Sequence, residues 1–206
     1  MSKNEEIKFK YIDDKYADAV NKYLANDLRA HSLESYKHSI DVANIVLILA
    51  KQFKLNKNGT RKLYTAAIMH DIGKLKVPSE LLHKKERPTD SEFKILRYGH
   101  ITGTKEILEK CNFDPDIIEI AYSHHEQIDG NGYPRQKINL STMDQILIVA
   151  DLTSAIMMTR SYHKGDSIDK CKQKLQTQLP NKVVAKKFVN AIINVVDTHS
   201  PVINQL

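Results

Sequence analysis

The chain has 206 residues, 41% of them apolar and 27% charged, the proportions of an ordinary globular protein, which set aside disordered and fibrous classes. Seven glycines and six prolines are few for a fold built on tight β-turns and favour helices. The formal charge of +6 suits an anionic partner such as a phosphate ester, a nucleic acid or an acidic protein, without choosing among them.

In chain order, the opening MSKNEEIKFK is polar and charged, unlike a secretory signal. Ile12, Tyr16, Val20, Leu24 and Leu28 then recur every fourth residue and mark an amphipathic lead-in helix. Ser32 or a residue near it caps a longer helix to about Phe53, with Ile40, Ala43, Leu47 and Ala50 facing inward. Its aliphatic run at 45–50 is the longest in the chain and far short of the ~20 residues of a membrane span. Asn58, Gly59 and Thr60 open a third helix to His70, broken near Gly73 and Pro78. Residues 89–110 read as two shorter helices meeting around Gly99. Asp114 and Pro115 start another, Pro115 suiting a first turn. A glycine-rich turn leads to a strongly apolar helix over 142–160, Gly165 punctuates it, and two helices split by Pro180 fill 167–197. Cys111 and Cys171 show no metal-type pairing and fit a reducing compartment. The expectation is one all-α domain over 32–206, preceded by a helical extension over 1–31, in the cytoplasm.

The chemistry collects on helix faces. His70 follows Leu63 and Ala66 at spacings of seven and four, so it continues an inward stripe. His124 follows Ile117 and Ala121 in the same way, and His125 follows Ile118. One such histidine reads most simply as a satisfied core residue; several converging ones do not. Asp151 stands in ILIVADLTSAIMM with no other charge between Asp144 and Arg160. A carboxylate there must be exposed, paired, neutralised or bound to a metal. Asp71 follows His70 at a helix end and alone would pass for a turn residue. Glu34 and His38, four apart, alone would pass for an exposed pair. HHEQID at 124–129 lacks the second histidine of a zincin helix, DGNGYP lacks an EF-hand register, and no P-loop, dinucleotide fingerprint or nucleophile elbow is present. Taken together, His38, His70, Asp71, His100, His124, His125 and Asp151 mix imidazole with carboxylate and no thiolate. That set suits two or more iron, manganese or zinc ions, and a carboxylate such as Asp71 would bridge a pair of them.

These stretches, in this order, resemble the HD-GYP family, a branch of the HD-domain metal-dependent phosphohydrolases. A helix carries His38, and HDIGK follows at 70–74, GHITG at 99–103, HHEQIDGNGYP at 124–134 and VADLTSAIMMTRSY at 149–162. The match covers roughly residues 32–180. The resemblance implies an all-helical HD-domain bundle that hydrolyses cyclic di-GMP to pGpG and/or GMP at a site holding two or three divalent transition metals. Iron or manganese are the first expectation; zinc and nickel also fit the donors. His38, His70, Asp71 and Asp151 would surround one metal, Asp71 bridging to a second held by His100, His124 and His125, and Glu34 would support a third. Asp71 would orient the attacking hydroxide, and Lys74 would offset charge on a phosphate oxygen. Asp129, Gly132, Tyr133, Pro134, Arg160 and His163 would contact or shape the pocket for substrate. Three positions depart from the family's usual pattern: Ser154 replaces an aspartate, His163 a basic residue and Ile128 a tryptophan. They bear on affinity and substrate choice.

Two other readings accompany this one. The same chemistry acts on another cyclic nucleotide, such as cyclic GMP-AMP. Alternatively the chain is a catalytically idle adaptor for a signalling protein such as a diguanylate cyclase, in which loss of metal ligands would be expected, and none is lost. A homodimer is compatible with either. Specific nucleic-acid binding is not expected, since the lysines are scattered without interleaved aromatics.

Overall fold

The computed structural model describes residues 11–157 and 166–203, the last six of them as backbone alone. Among these residues regular structure is helical throughout, and only an isolated parallel bridge pairs Pro180 with Val184. The all-α expectation holds.

The lead-in helix, α1, spans residues 14–31: a 3-10 turn at Asp14–Tyr16, α-helical turns at Ala17–Ala19 and Arg29–His31, and a π-helical stretch Val20–Leu28 between them. The winding follows from the sequence. A strict four-residue repeat drifts by about 40° per step on an α-helix, so the four steps from Ile12 to Leu28 would walk off the face they started on. The looser i→i+5 winding takes up that drift. Ile12, Tyr16, Val20, Leu24 and Leu28 are all buried, and burying each leucine contributes about 1.5–3 kcal/mol. They belong to the same core as the following helices.

The second helix, α2 (Leu33–Gln52), starts where Ser32 Oγ accepts from Ser35 N and ends at Phe53. Ile40, Ala43 and Ala50 are buried, and Leu47 packs against the core partly exposed. The third, α3 (Lys57–Met69), is capped by Asn56, whose side chain accepts from Gly59 N. It ends in a 3-10 turn, Ile72–Lys76, and the short α4 (Ser79–Leu82) follows. The two helices expected to meet at Gly99 do not break there. The chain runs from α5 (Asp90–Lys94) through a π-helical turn, Ile95–Gly99, into α6 (His100–Lys110). Gly99 is helical, with φ −63° and ψ −44°, so it needs no special conformation and interrupts nothing. A capping box between Thr89 and Glu92 starts this run.

α7 (Pro115–Tyr122) has Pro115 in its first turn. α8 (Thr142–Met157), α9 (Ile168–Gln178) and α10 (Lys186–Ile203) complete the bundle. α2 packs against α3, α8 and α10, and α3 packs against α7. The 3-10 turn packs closely on α6. Thus α2, the α3 end, α6, the α7 end and α8 converge at one side of the core.

Candidate metal centre

Each helix delivers its polar residue to that convergence. α2 brings His38, the end of α3 brings His70 and Asp71, α6 starts with His100, the turn after α7 carries His124 and His125, and α8 brings Asp151. His38, His70, Asp71, His100, His124 and Asp151 are buried. Three groups have ligand atoms close enough to share an ion: His38, His70 and Asp71; His70, His124 and Asp151; and His100, His124 and His125. His70 and His124 each belong to two groups, so the sets are contiguous.

The backbone fixes three of the rings. His70 Nδ1 lies 2.7 Å from Ala67 O, His124 Nδ1 2.6 Å from Ala121 O and His100 Nδ1 2.5 Å from Leu96 O. A carbonyl only accepts, so each Nδ1 carries the proton and donates it. Each Nε2 then presents a lone pair, the form in which a histidine ligates a metal. The Nε2 atoms of His70 and His124 are buried with no hydrogen-bond partner. Two such lone pairs are costly unless something cationic meets them. The Nε2 atoms of His100 and His125 lie 3.1 Å apart. His38 differs, because a side chain holds its Nδ1: Ser154 Oγ, 2.9 Å away. Its Nε2 is 2.8 Å from Asp151 Oδ1 and 3.9 Å from Asp71 Oδ2. His70 Nε2 lies 3.4 Å from Asp71 Oδ2 and 3.8 Å from Asp151 Oδ1.

Burial pushes His38 and His100 below the usual histidine range. It pushes His124 well below that range, aided by His125 and His70 beside it, and His125 down to about 3. Burial acts the same way on His70, but the Asp71 carboxylate outweighs it and leaves His70 above its ordinary value. Burial would raise both aspartates. Lys74 and His70 instead hold Asp71 well below the carboxylate range, and the hydrogen bond from His38 holds Asp151 below it. The site therefore offers two carboxylates and mostly neutral imidazoles, a borderline-to-hard donor set that fits divalent transition metals. Lys74 Nζ contacts Asp71 Oδ2 at 2.5 Å and reaches the cavity from there.

A cavity of about 730 Å³ opens over the cluster, lined among others by Glu34, His38, Asp71, Lys74, His100, His125 and Asp151. Glu34 stands at this cavity but outside the three ligand groups. Of the HHEQIDGNGYP stretch His125 lines the cavity, whereas Asp129, Gly132, Tyr133 and Pro134 do not. Tyr133 stacks on His125, ring centroids 4.7 Å apart, and Arg97 sits 4.1 Å from the Tyr133 ring. Asp129 accepts from Asn131 N at 3.0 Å. Arg160 and His163 lie outside the described residues.

Several residues that matter here carried little signal. Ser154 stood out only as a departure, yet it is one turn from Asp151 on the same helix face and orients His38. Thr104, one turn after His100, donates to His70 O and accepts from Gly73 N, both at 2.9 Å. Glu126 is fully buried and accepts from Arg135 N and Lys137 N at 2.8 and 2.9 Å, tying down the turn behind His125. Its place directly after two histidines was the available clue.

A profile of the HD domain family matches residues 20–181. The chain belongs to the HD domain family. The solved HD domain of the L. monocytogenes phosphodiesterase PgpH shares its fold, with a TM-score of 0.63 over 87% of this chain and 98% of that one at 18% identity. Among curated relatives, a 3'3'-cGAMP-specific phosphodiesterase of Vibrio cholerae is 34% identical over 148 residues, 71% of this chain and 34% of its own. A cyclic di-GMP phosphodiesterase of Pseudomonas aeruginosa is 33% identical over 133 residues, 64% of this chain and 32% of its own. The chain thus spans about a third of the length of these relatives. No helix of the described residues is long and apolar enough to cross a membrane.

Proposed function

We propose that this HD domain is a metal-dependent phosphodiesterase of the HD-GYP type, opening cyclic di-GMP to linear pGpG and/or GMP in the cytoplasm. The observation that carries the reading is the pair of buried Nε2 atoms on His70 and His124, neither of which is hydrogen-bonded. They sit amid Asp71, Asp151 and three further imidazoles at the foot of an open cavity. The relatives named as cyclic di-GMP phosphodiesterases support the substrate class.

His38, His70, Asp71 and Asp151 would hold one ion, and Asp71, His100, His124 and His125 a second. Glu34, at the cavity wall, would serve a third. Iron or manganese are the proposed occupants. Bound there, such ions supply Lewis acidity and make water nucleophilic near neutral pH. The chain's own residues do the rest. The main-chain carbonyls of Ala67, Leu96 and Ala121 hold three imidazoles in the ligating tautomer. Ser154 orients the fourth. Asp71, kept ionised by Lys74, is the acceptor that aligns an attacking water, and the Lys74 ammonium meets a phosphoryl oxygen from the cavity side. Removing Lys74 would cost about 10²–10³ in turnover, as for other single charge-stabilising donors.

A second reading, hydrolysis of cyclic GMP-AMP, is favoured by the Vibrio relatives with that specificity. Anaerobic turnover of the two cyclic dinucleotides side by side, with products separated by chromatography and Asp71→Ala as control, tests both. Linear product from cyclic di-GMP, lost in the variant, supports the proposal. Turnover of cyclic GMP-AMP alone would move the assignment, and turnover of neither would overturn it.

A further inference from the structure

Between Val77 and His100, both buried, run 22 residues, 78–99, not one of which is buried. A stretch of this length that adds nothing to the core would be expected to be polar. Instead it carries Leu81, Leu82, Phe93, Ile95, Leu96 and Tyr98. Four of these, Leu81, Leu82, Phe93 and Leu96, line the cavity over the His/Asp cluster. Phe93 is the most open of the four, 54% exposed although it faces the cavity. Four of the arm's six apolar side chains thus face the cavity and not the core, so the arm is a wall of the site.

The same wall is cationic. Lys84, Lys85 and Arg87 all line the cavity. Lys84 is committed to Glu92, at 2.7 and 2.8 Å from its two oxygens, and Glu92 is itself fixed by the Thr89 capping box. Lys85 and Arg87 form no ion pair among the described residues. Glu34 and Glu86 also reach the cavity, so the arm discriminates by position and not by overall charge. An aromatic ring and two cations without ion-pair partners, lining one cavity with the His/Asp cluster, match one ligand chemistry: a planar base joined to a second phosphate.

We propose that Phe93 is the base-stacking residue of this site and that Lys85 and Arg87 hold the substrate's second, unreacting phosphate, which makes the arm 78–99 the element selecting dinucleotides over simple diesters. This rests on the phosphodiesterase reading and extends it to substrate choice. The ring supplies a π face that a purine covers, and stacking of this kind is lost when the aromatic residue is truncated. Arg87 offers the planar fork suited to a phosphate, and Lys85 a flexible point charge. The volume, about 730 Å³, lies well inside the range of ~300–1,000 Å³ that holds drug-sized ligands, ample for more than a bare phosphodiester.

The test compares Phe93→Ala, Phe93→Tyr and Arg87→Ala with the wild-type metal-loaded chain on two substrates, cyclic di-GMP and methyl p-nitrophenyl phosphate. Phe93→Ala is expected to raise KM for cyclic di-GMP by about 5- to 150-fold, the range of one stacked base. kcat on the small diester stays unchanged, and Phe93→Tyr restores KM. Arg87→Ala raises KM for the cyclic dinucleotide alone. Unchanged KM in Phe93→Ala, or equal losses on both substrates, overturns the inference while leaving the phosphodiesterase reading intact. Equilibrium binding of a phosphorothioate analogue of cyclic di-GMP reads the same contacts without turnover. Equal affinity of wild type and Phe93→Ala for it also overturns the inference.

Discussion

Replacing Gly73 with alanine would put a Cβ 1.8 Å from His100 O, 2.2 Å from Thr104 N and 2.8 Å from Gly103 C. All three are backbone atoms of α6, so no side chain can swing aside. Restoring ordinary contact requires the 3-10 turn Ile72–Lys76 and α6 to part by more than about 1 Å in a close-packed region. Overpacking of this kind costs about 1–3 kcal/mol or more, roughly 2–12 °C in Tm for a domain of this size. The catalytic cost is larger, because Asp71 and Lys74 ride on one side of that contact and His100 on the other. Misplacement by about 1 Å is worth on the order of 10² in rate. Gly99→Ala is the internal control. Its Cβ would meet only the Ile95 and Val77 side chains, both at 3.8 Å, and alanine in a helix interior stabilises by about 0.5–1 kcal/mol over glycine. Melting curves and turnover of the two variants should therefore diverge, Gly73→Ala losing both and Gly99→Ala losing neither. Native Tm and full turnover in Gly73→Ala would refute the packing argument.

Three further outcomes are expected. Glu126→Ala leaves the N–H groups of Arg135 and Lys137 without their acceptor, at about 1–3 kcal/mol for each orphaned group, so Tm should fall by roughly 4–24 °C; an unchanged melt would mean that something else holds the turn. Ser154→Ala frees the His38 ring, and chelator competition should show a metal affinity lower by about 10- to 100-fold, with Ser154→Asp retaining it; equal affinity for Ala and wild type would remove Ser154 from the site. The chain should be acid-labile. His38, His100, His124 and His125 all have depressed folded values, so their stabilisation is present above the unfolded value of about 6.5 and is lost as pH falls, at up to about 1.4 kcal/mol per unit for each ring, for His125 until pH nears 3. His70, with a raised value, opposes this in part. Urea midpoints should drop steeply between pH 7 and 5, and a flat profile would contradict the neutral cluster.

How far this was legible in the sequence depended on whether one residue's pattern sufficed. The four-residue stripe of α1, the Ser32 cap and the Asp114–Pro115 start each depend on neighbours in the chain, and the structure has them as expected. The inward histidines were legible because a polar residue breaking an apolar stripe is visible locally. Continuity through Gly99 was not, since a glycine that merely continues a helix looks the same as one that ends it. Ser154 and Thr104 act through partners more than thirty residues away, so no local pattern could mark them. The turn 129–134 was expected at the substrate; its residues are not among those lining the cavity, and Tyr133 reaches the cluster by stacking on His125. The arm 78–99 reads as an irregular link of short helices. Its role emerges only once the core is seen to do without it.

The most direct test of the account is the metal content of anaerobically purified protein, counted per chain for wild type and for His124→Ala. His124 belongs to two of the three ligand groups, and its Nε2 has no other partner. Two or three transition-metal ions are expected per wild-type chain, with the loss of at least one in the variant. A folded wild-type chain that takes up no metal, or a variant that keeps the full complement, would contradict it.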